Sequence, residues 1–297
     1  MTAESIEIPG RQIGLPMVIH VSRVRSHTAR RISWHSHEGF ELLFLLEGAT
    51  AYEFADRQVL QLAGGHFLVI PPGVVHRGQH NVRSPCTICG LALSAAAAGA
   101  WKHTTFTPAD VRRIRSALES SSRAVHPFNP SLRWLVRRLM DAIAGFPASA
   151  ESPTAAATLR TLICGVLLES LVQMLSPPRP PQASVAAAIA FFRQHLDEPI
   201  HIPDLVRHLG FSRARTFELF KSQTGLTPND YLQRLRIEKA RELLRATRRS
   251  ITAIALETGF SSGQYFCTVF RRYTGLSPAA YRQANRAGKP ARRTPAP

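Results

Sequence analysis

IPDLVRHLGFSRARTFELFKSQTGLTPNDY (residues 202–231) and ITAIALETGFSSGQYFCTVFRRYTGLSPAAY (residues 251–281) are two copies of one pattern. Gly210-Phe211-Ser212 recurs 49 residues later as Gly259-Phe260-Ser261. Phe220, Thr224-Gly225-Leu226, Pro228 and Tyr231 recur 50 later as Phe270, Thr274-Gly275-Leu276, Pro278 and Tyr281, so one residue is inserted between the two anchors. Self-similarity at a fixed period marks a repeated supersecondary unit. Each copy reads as a short amphipathic helix, a glycine where the chain turns, a serine placed to cap the next helix, and that helix with an apolar inner face. This is the grammar of a helix-turn-helix.

In the second copy Tyr265, Phe266, Val269, Phe270 and Tyr273 are expected on the inner face, leaving Ser262, Gly263, Gln264, Thr268, Arg271 and Arg272 outside. In the first, Phe217 and Phe220 are expected inside, with Arg213, Ala214, Arg215, Glu218 and Lys221 on the recognition side. Outer faces of this composition suit a helix in the DNA major groove, where Arg pairs with guanine and Gln with adenine. Between the copies, Asn229 to Ala246 reads as one continuous helix of roughly 27 Å at about 1.5 Å per residue, long enough to hold two recognition helices on one DNA face. A plain helical hairpin with a solvated basic face would explain one copy; two copies with matched glycines and matched TGL-[TS]-P endings argue against it.

Charge supports the same partner. The 297 residues carry 37 Lys and Arg against 20 Asp and Glu, a formal +17, a balance that favours a polyanion. Residues 183–297 hold 19 basic and 8 acidic residues, so most of the excess lies beside the repeat. The opening MTAESIEIPG lacks the basic start and apolar core of a signal peptide, and Leu159 to Leu175 is interrupted by Arg160 and Glu169, so no membrane association is expected. Four cysteines in a chain this long form no disulfide framework. A cytoplasmic protein is expected.

Residues 184 to 284 resemble the DNA-binding domain of AraC/XylS-type transcriptional regulators. The resemblance rests on Ile254-Ala255, Gly259-Phe260-Ser261-Ser262, Tyr265-Phe266, Phe270-Arg271-Arg272, Thr274-Gly275, Ser277-Pro278 and Tyr281-Arg282. It implies two helix-turn-helix units joined by a long helix, bound to half-sites in double-stranded promoter DNA, with RNA polymerase as a further partner of an activator. Two positions depart from the family pattern: Thr216 stands where a large apolar residue is usual, and Glu218 where a basic one is common. Glu218 either accepts from a cytosine amino group or pairs with Arg215.

Upstream, residues 15–93 contain β-runs separated by Gly and Pro: MVIHVSRV, ELLFLLEG, TAYEFA, HFLVIPPG and CTICGLAL. His35, His37 and Glu41 occupy odd positions and would share one face of an extended strand; His76 follows a Pro-Gly turn. The spacing H-x-H-x3-E-x6-G, then G-x5-P-x-G-x2-H, resembles the two motifs of the cupin barrel, though His80 stands where the second motif normally ends in Asn. The resemblance implies a pocket lined by His35, His37, Glu41 and His76. Its occupant is either a small effector, for which a sugar or related metabolite is the analogy, or one divalent metal ion, since imidazole and carboxylate suit Zn, Ni, Fe or Mn. Cys86 and Cys89 are three apart, so within a strand they face opposite ways and are expected to pack rather than pair. Cys267 is expected on the outer side of its helix, and Trp34, Trp101 and Trp134 as core or interface anchors.

After Thr107-Pro108-Ala109-Asp110, a helix start, the spacing turns helical. Leu159, Ile163, Val166, Leu167, Leu171 and Met174 form one stripe that must pack on the β module or on a second copy. The expected fold class is α+β multidomain: a cupin-like β-barrel sensor over 1–105, a helical dimerisation or packing segment over 106–176, a Pro-rich linker over 177–183, an all-α double helix-turn-helix domain over 184–285, and a basic tail over 286–297. The function expected is that of an effector-controlled, homodimeric transcriptional regulator requiring no cofactor and catalysing no reaction. The alternative is a metal-dependent cupin enzyme fused to a DNA-binding domain.

Overall fold

The computed structural model describes residues 4–94, 101–146, 152–176, 183–198, 200 and 202–287. It contains two compact units, one of residues up to 181 and one from residue 182 on, with 221–226 grouped with the first. The linker expected over 177–183 falls outside the described residues except for Ala183, which opens a helix. The tail expected from 286 likewise lies outside them from 288 on, Arg286 and Ala287 closing the last helix.

The elements of the first unit are β1 (Glu4–Pro9), β2 (Val18–Ser26), β3 (Arg30–Arg31), β4 (Phe40–Phe54), β5 (Val59–Ala63), β6 (His66–Ile70), β7 (His76–Gly78), β8 (Val82–Arg83), β9 (Cys86–Leu93), α1 (Pro108–Ser120), β10 (Val125–Pro127), α2 (Pro130–Gly145) and α3 (Pro153–Leu175). The main sheet runs β1-β2-β9-β4-β6-β10, with β5 and β7 added on β4 and a separate β3-β8 pair. Two elements correct the expectation from sequence: the opening residues form a strand on β2, and β10 lies inside the segment expected to be helical, where it pairs with β6.

β4 organises this unit. Its first half lies between β9 and β6, and its second half pairs with β5 and β7. Alternation sends Leu42, Phe44 and Leu46 to one face and Leu43 and Leu45 to the other. The register against β9 shifts between Leu45 and Glu47, so beyond this bulge even-numbered Tyr52 and Phe54 join Leu43 and Leu45 on the inner face. Gly48 follows at φ 93°, where a Cβ would stand 2.5 Å from the Pro85 carbonyl oxygen, so only glycine permits the step.

The outer face of the sheet is covered by helices. α1 starts at a reciprocal cap in which the Thr107 hydroxyl accepts from Asp110 N–H and the Asp110 carboxylate accepts from Thr107 N–H. Asn129 and Ser152 cap α2 and α3, each ahead of a proline in the first turn. On α3, Leu159, Ile163, Val166 and Leu167 are buried within the unit, against α2 and the sheet core. Most of the stripe therefore serves the β module, which leaves it closed to a second copy. By length and composition alone α3 could cross a membrane, but Arg160 donates to the Ile13 carbonyl (3.0 Å) and Glu169 accepts from Asn129 (2.8 Å), as in a core helix. Its exposed apolar residues are Leu168, Val172 and Leu175. Of the tryptophans, Trp101 packs on the core whereas Trp34 and Trp134 are exposed, Trp34 beneath the Arg77 guanidinium.

The second unit consists of α4 (Ala183–Gln194), α5 (Ile202–Leu209), α6 (Arg213–Thr224), α7 (Pro228–Ala246), α8 (Ile251–Glu257), α9 (Gly263–Thr274) and α10 (Pro278–Ala287). The repeated TGL-[TS]-P has one structural meaning in both copies. Gly225 and Gly275 end a helix in the left-handed region (φ 69° and 76°), Thr227 and Ser277 cap the next one, and Pro228 and Pro278 open it, each where its geometry is favoured.

Because Leu167 is sealed against α2 and the sheet, Leu167→Ala should lower the stability of the first unit by about 2–5 kcal/mol. Val172→Ala, on the open side, should stay within about 0.5 kcal/mol of wild type. All three tryptophans lie in residues 1–176, so denaturant titration followed by tryptophan emission reads this unit alone; equal effects of the two substitutions would contradict the assignment of faces.

Candidate functional site

The two helical hairpins, α5–α6 and α8–α9, are built around separate cores. Val185, Ala188, Phe192, Leu205, Leu219 and Phe220 form the first, with Phe192 supplied by α4. Ile254, Phe260, Phe266, Val269, Phe270 and Tyr281 dominate the second. α7 enters both, giving Leu232 to the first and Ile237, Ala240 and Leu244 to the second. Polar ties reinforce it: Arg236 donates to the Leu196 and Glu198 carbonyls (3.2 and 2.6 Å), and Tyr273 donates to the Asp230 carbonyl (3.3 Å). Sequence alone does not disclose these ties, because nothing local marks an arginine that will be spent on carbonyls about 40 residues away.

Ser212 and Ser262 cap α6 and α9, accepting from Arg215 N–H and Tyr265 N–H, each at 3.2 Å. The caps are thus 50 apart, and the inserted residue lies between glycine and cap in the second copy. On α6, Arg213, Ala214, Arg215, Glu218 and Lys221 are all exposed. On α9, Ser262, Gln264, Thr268, Arg271 and Arg272 are exposed and Gly263 is half-buried. Both expected recognition faces are therefore open to solvent.

Two inner-face expectations are corrected. Tyr265 is exposed, with its hydroxyl accepting from Gln233 (2.7 Å). Phe217 is only half-buried and carries the Arg213 guanidinium 5.6 Å from its ring centre. The buried residue beside it is Thr216, whose hydroxyl donates to the Ser212 carbonyl (3.0 Å); with caps as reference it occupies the place of Phe266. Glu218 is held by Arg215 at 2.9 Å, which makes an i,i+3 ion pair its role in the free protein.

In the first unit, His35, His37, Glu41 and His76 converge, though by a different route from a shared strand. Only Glu41 belongs to β4; His37 lies in the loop before it, and His35 exchanges both backbone hydrogen bonds with His76 in an isolated bridge. One nitrogen from each of the three imidazoles lies within 4.8 Å of the others. Glu41 Oε2 stands 3.4 Å from His37 Nε2 and 3.3 Å from His76 Nε2, ion-pair contacts that fall short of hydrogen-bond geometry, so all three atoms are buried without a hydrogen bond. Burial alone would raise the Glu41 pKa, but the approach of His37 and His76 brings it down to about 2. His37 is shifted upward, chiefly by Glu41, and His35 downward by burial. Hydrogen bonding of His35 Nδ1 to the Ser33 carbonyl (2.8 Å) and of His76 Nδ1 to the Val74 carbonyl (3.0 Å) orients both rings, as the carbonyl partners of metal-ligating histidines do, and turns His76 Nε2 toward Glu41. The donor set fits a small N,O-coordinated divalent ion.

Cys86 lies in the inner core and Cys89 in the outer one. Burial pushes their thiols up to about 11 and about 12, so neither is a reactive thiolate. Cys267 is half-buried at the margin of the second helical core rather than fully outside.

Comparison with known proteins agrees with both units. Residues 205–284 match the model of a helix-turn-helix domain, and residues 18–160 that of the AraC-like ligand binding domain. YobQ of Bacillus subtilis, an uncharacterized HTH-type transcriptional regulator, is 30% identical over 248 residues, 84% of this chain and 88% of its own. The chain belongs to the AraC family of transcriptional regulators. Within that family it is also similar to the MmsAB operon regulatory protein of Pseudomonas aeruginosa, 26% identical over 91% of this chain and 82% of the relative. The transcriptional activator RhaS of Escherichia coli is 39% identical over 32% of this chain and 34% of its own length. This AraC-family regulator thus joins a sheet-rich ligand-binding domain to a helical DNA-binding domain, and its relatives are regulators, not enzymes.

Proposed function

We propose that this regulator binds paired promoter half-sites as a homodimer, that α6 and α9 read the bases, and that a small molecule in the β module sets promoter occupancy. The observation that carries the DNA reading is the pair of serine-capped helices, each with an open basic or amide-bearing face, mounted on the single helix α7. Arg213 on α6 and Gln264 on α9 are placed to contact base edges, the remaining exposed residues to contact bases or phosphates. In activation the further partner is RNA polymerase, and the compartment is the cytoplasm, where promoter DNA lies.

For the dimer, the supporting feature is the row Leu168, Val172 and Leu175 at i, i+4 and i+7 on α3, exposed 42%, 52% and 67%. A second copy with the same row is its self-complementary occupant, replacing the seam expected around Leu167. In the histidine cluster, His35, His37, Glu41 and His76 line the effector site and would hold a divalent ion when one is bound, where it would act as a Lewis acid toward an oxygen of the effector. The regulator reading requires no such ion.

A fragment spanning 183–297 should bind promoter DNA without the β module, with affinity falling steeply as salt rises. Gln264→Ala or Arg213→Ala should cost about 1–3 kcal/mol at particular base pairs, whereas Arg248→Ala should weaken all sequences alike. Footprinting and fluorescence anisotropy read both effects, and a folded fragment without affinity at low salt would refute the DNA reading. Val172→Asp should shift the full chain from dimer to monomer in sedimentation, an unchanged dimer ruling this face out. His37→Ala should remove the effector response of the full chain while leaving its DNA affinity without effector unchanged. If the purified chain carries metal near one equivalent, elemental analysis of the same variant should show it lost.

A further inference from the structure

Polar atoms buried without a partner are rare in folded proteins, because each forfeits its bond to water. Among the described residues there are nine such side-chain atoms, and five belong to His37, Glu41, Thr50, His76 and Arg83 of the β module. The histidines and Glu41 form the cluster already described. Thr50 and Arg83 do not belong to it, and they face the same interior. Thr50 shares its face of β4 with Tyr52 and Phe54, whose side chains enter the inner core. Arg83 lies close enough to the Tyr52 hydroxyl and to Glu41 to interact electrostatically with both.

Arg83 is a cation in search of an anion. Its Nε is buried and unpaired, and it takes part in none of the ion pairs among the described residues. The nearest carboxylate it senses, Glu41, is occupied by His37 and His76. Across the short β3–β8 pair its direct neighbour is Arg30, and like charges facing each other across strands destabilise the pair. Arg83 as a whole is half-buried, but a guanidinium whose Nε is buried without a partner is costly, and a counter-charge offsets that cost. The surrounding wall is apolar, with Leu43, Leu45, Phe54, Ile70 and Ile88 on the inner face.

We propose that the effector is a small organic acid with an apolar body, whose carboxylate is taken by the Arg83 guanidinium beside the hydroxyls of Tyr52 and Thr50. This rests on the effector reading above and narrows it to a chemical class. A carboxylate matches one planar guanidinium in charge and in bidentate geometry. A phosphate dianion would bring a second negative charge into an interior that already holds the Glu41 carboxylate within reach of Arg83. A neutral sugar would leave the Arg83 charge as unbalanced as before.

The test uses the full-length chain and a panel of butyrate, octanoate, benzoate and phenylacetate, each titrated beside its own amide by calorimetry, with promoter occupancy measured in parallel. At least one acid should bind roughly 10-fold or more tightly than its amide. Arg83→Gln should abolish that preference and Arg83→Lys should retain part of it. Should Arg83→Gln fail to fold, Tyr52→Phe, which removes the hydroxyl beside the guanidinium, should weaken the acid several-fold and shrink its advantage over the amide. A panel in which no acid outbinds its amide, or a folded Arg83→Gln that keeps the preference, overturns the proposal. If amides bind and alter promoter occupancy while acids show no advantage, the effector reading stands and the carboxylate falls; if an acid binds through Arg83 without altering occupancy, the site stands and the effector reading falls.

Discussion

α7 has to serve two hydrophobic cores at once, and the geometry of the DNA-binding unit follows from that demand. Its 19 residues place Leu232 in one core and Ile237, Ala240 and Leu244 in the other. A helix that turned out of one core before reaching the next could not fix the distance between α6 and α9. The carbonyl anchors of Arg236 and the bond from Tyr273 to the Asp230 carbonyl hold its flanks, so the separation of the two recognition faces is set by covalent helix geometry, about 1.5 Å per residue, rather than by a loop. The base reading proposed for α6 and α9 requires this rigidity, since side chains on a mobile pair of helices would spend their binding energy on ordering.

A comparable constraint acts in the β module. The bulge at Glu47 and the left-handed Gly48 change which parity of β4 faces inward, so Glu41 from the first half of the strand shares one interior with Thr50 and Tyr52 from its other half. A regular strand would have sent one of these groups to the helices. The interior consequently holds polar atoms at two places within an apolar wall, with the helix-covered face carrying the stability of the unit. Separation of duties lets the inner face remain unsatisfied, because Leu42, Phe44 and the buried side of α3 supply the packing.

Much of this was legible in the residues. The TGL-[TS]-P endings could be read because every position has a local mechanism: a left-handed stop, a cap, a preset first turn. The recognition faces could be read because the caps set the helical phase. Tyr265 and Phe217 were misplaced because helical phase gives direction but not depth, and each lies at the edge of a buried stripe. The histidine set could be named from spacing, yet its path could not, since the isolated bridge between His35 and His76 depends on strands far apart in sequence. Arg83 was invisible for the same reason: β8 is two residues long, and nothing in Val82-Arg83 announces that its guanidinium meets Tyr52.

The two helix-turn-helix units are alike in plan and unlike in substance. Where α9 buries Phe266, α6 buries Thr216, and where Phe260 is enclosed, Phe211 is 40% exposed. The first core compensates with Phe192 from α4, where α7 gives the second core the smaller Leu244. A core with a hydroxyl in place of a phenyl ring loses apolar burial, so its helix is held less firmly and opens at a lower free-energy cost. The outer faces differ in the same sense. On α6 the charges of Arg215 and Glu218 are already paired with each other, and that ion pair must part before either side chain can meet a base, whereas Gln264 on α9 stands exposed in the first turn behind the Ser262 cap. On the base reading proposed for the two helices, discrimination between sequences therefore rests first on α9, and α6 adds a contact whose strength varies with the half-site it meets.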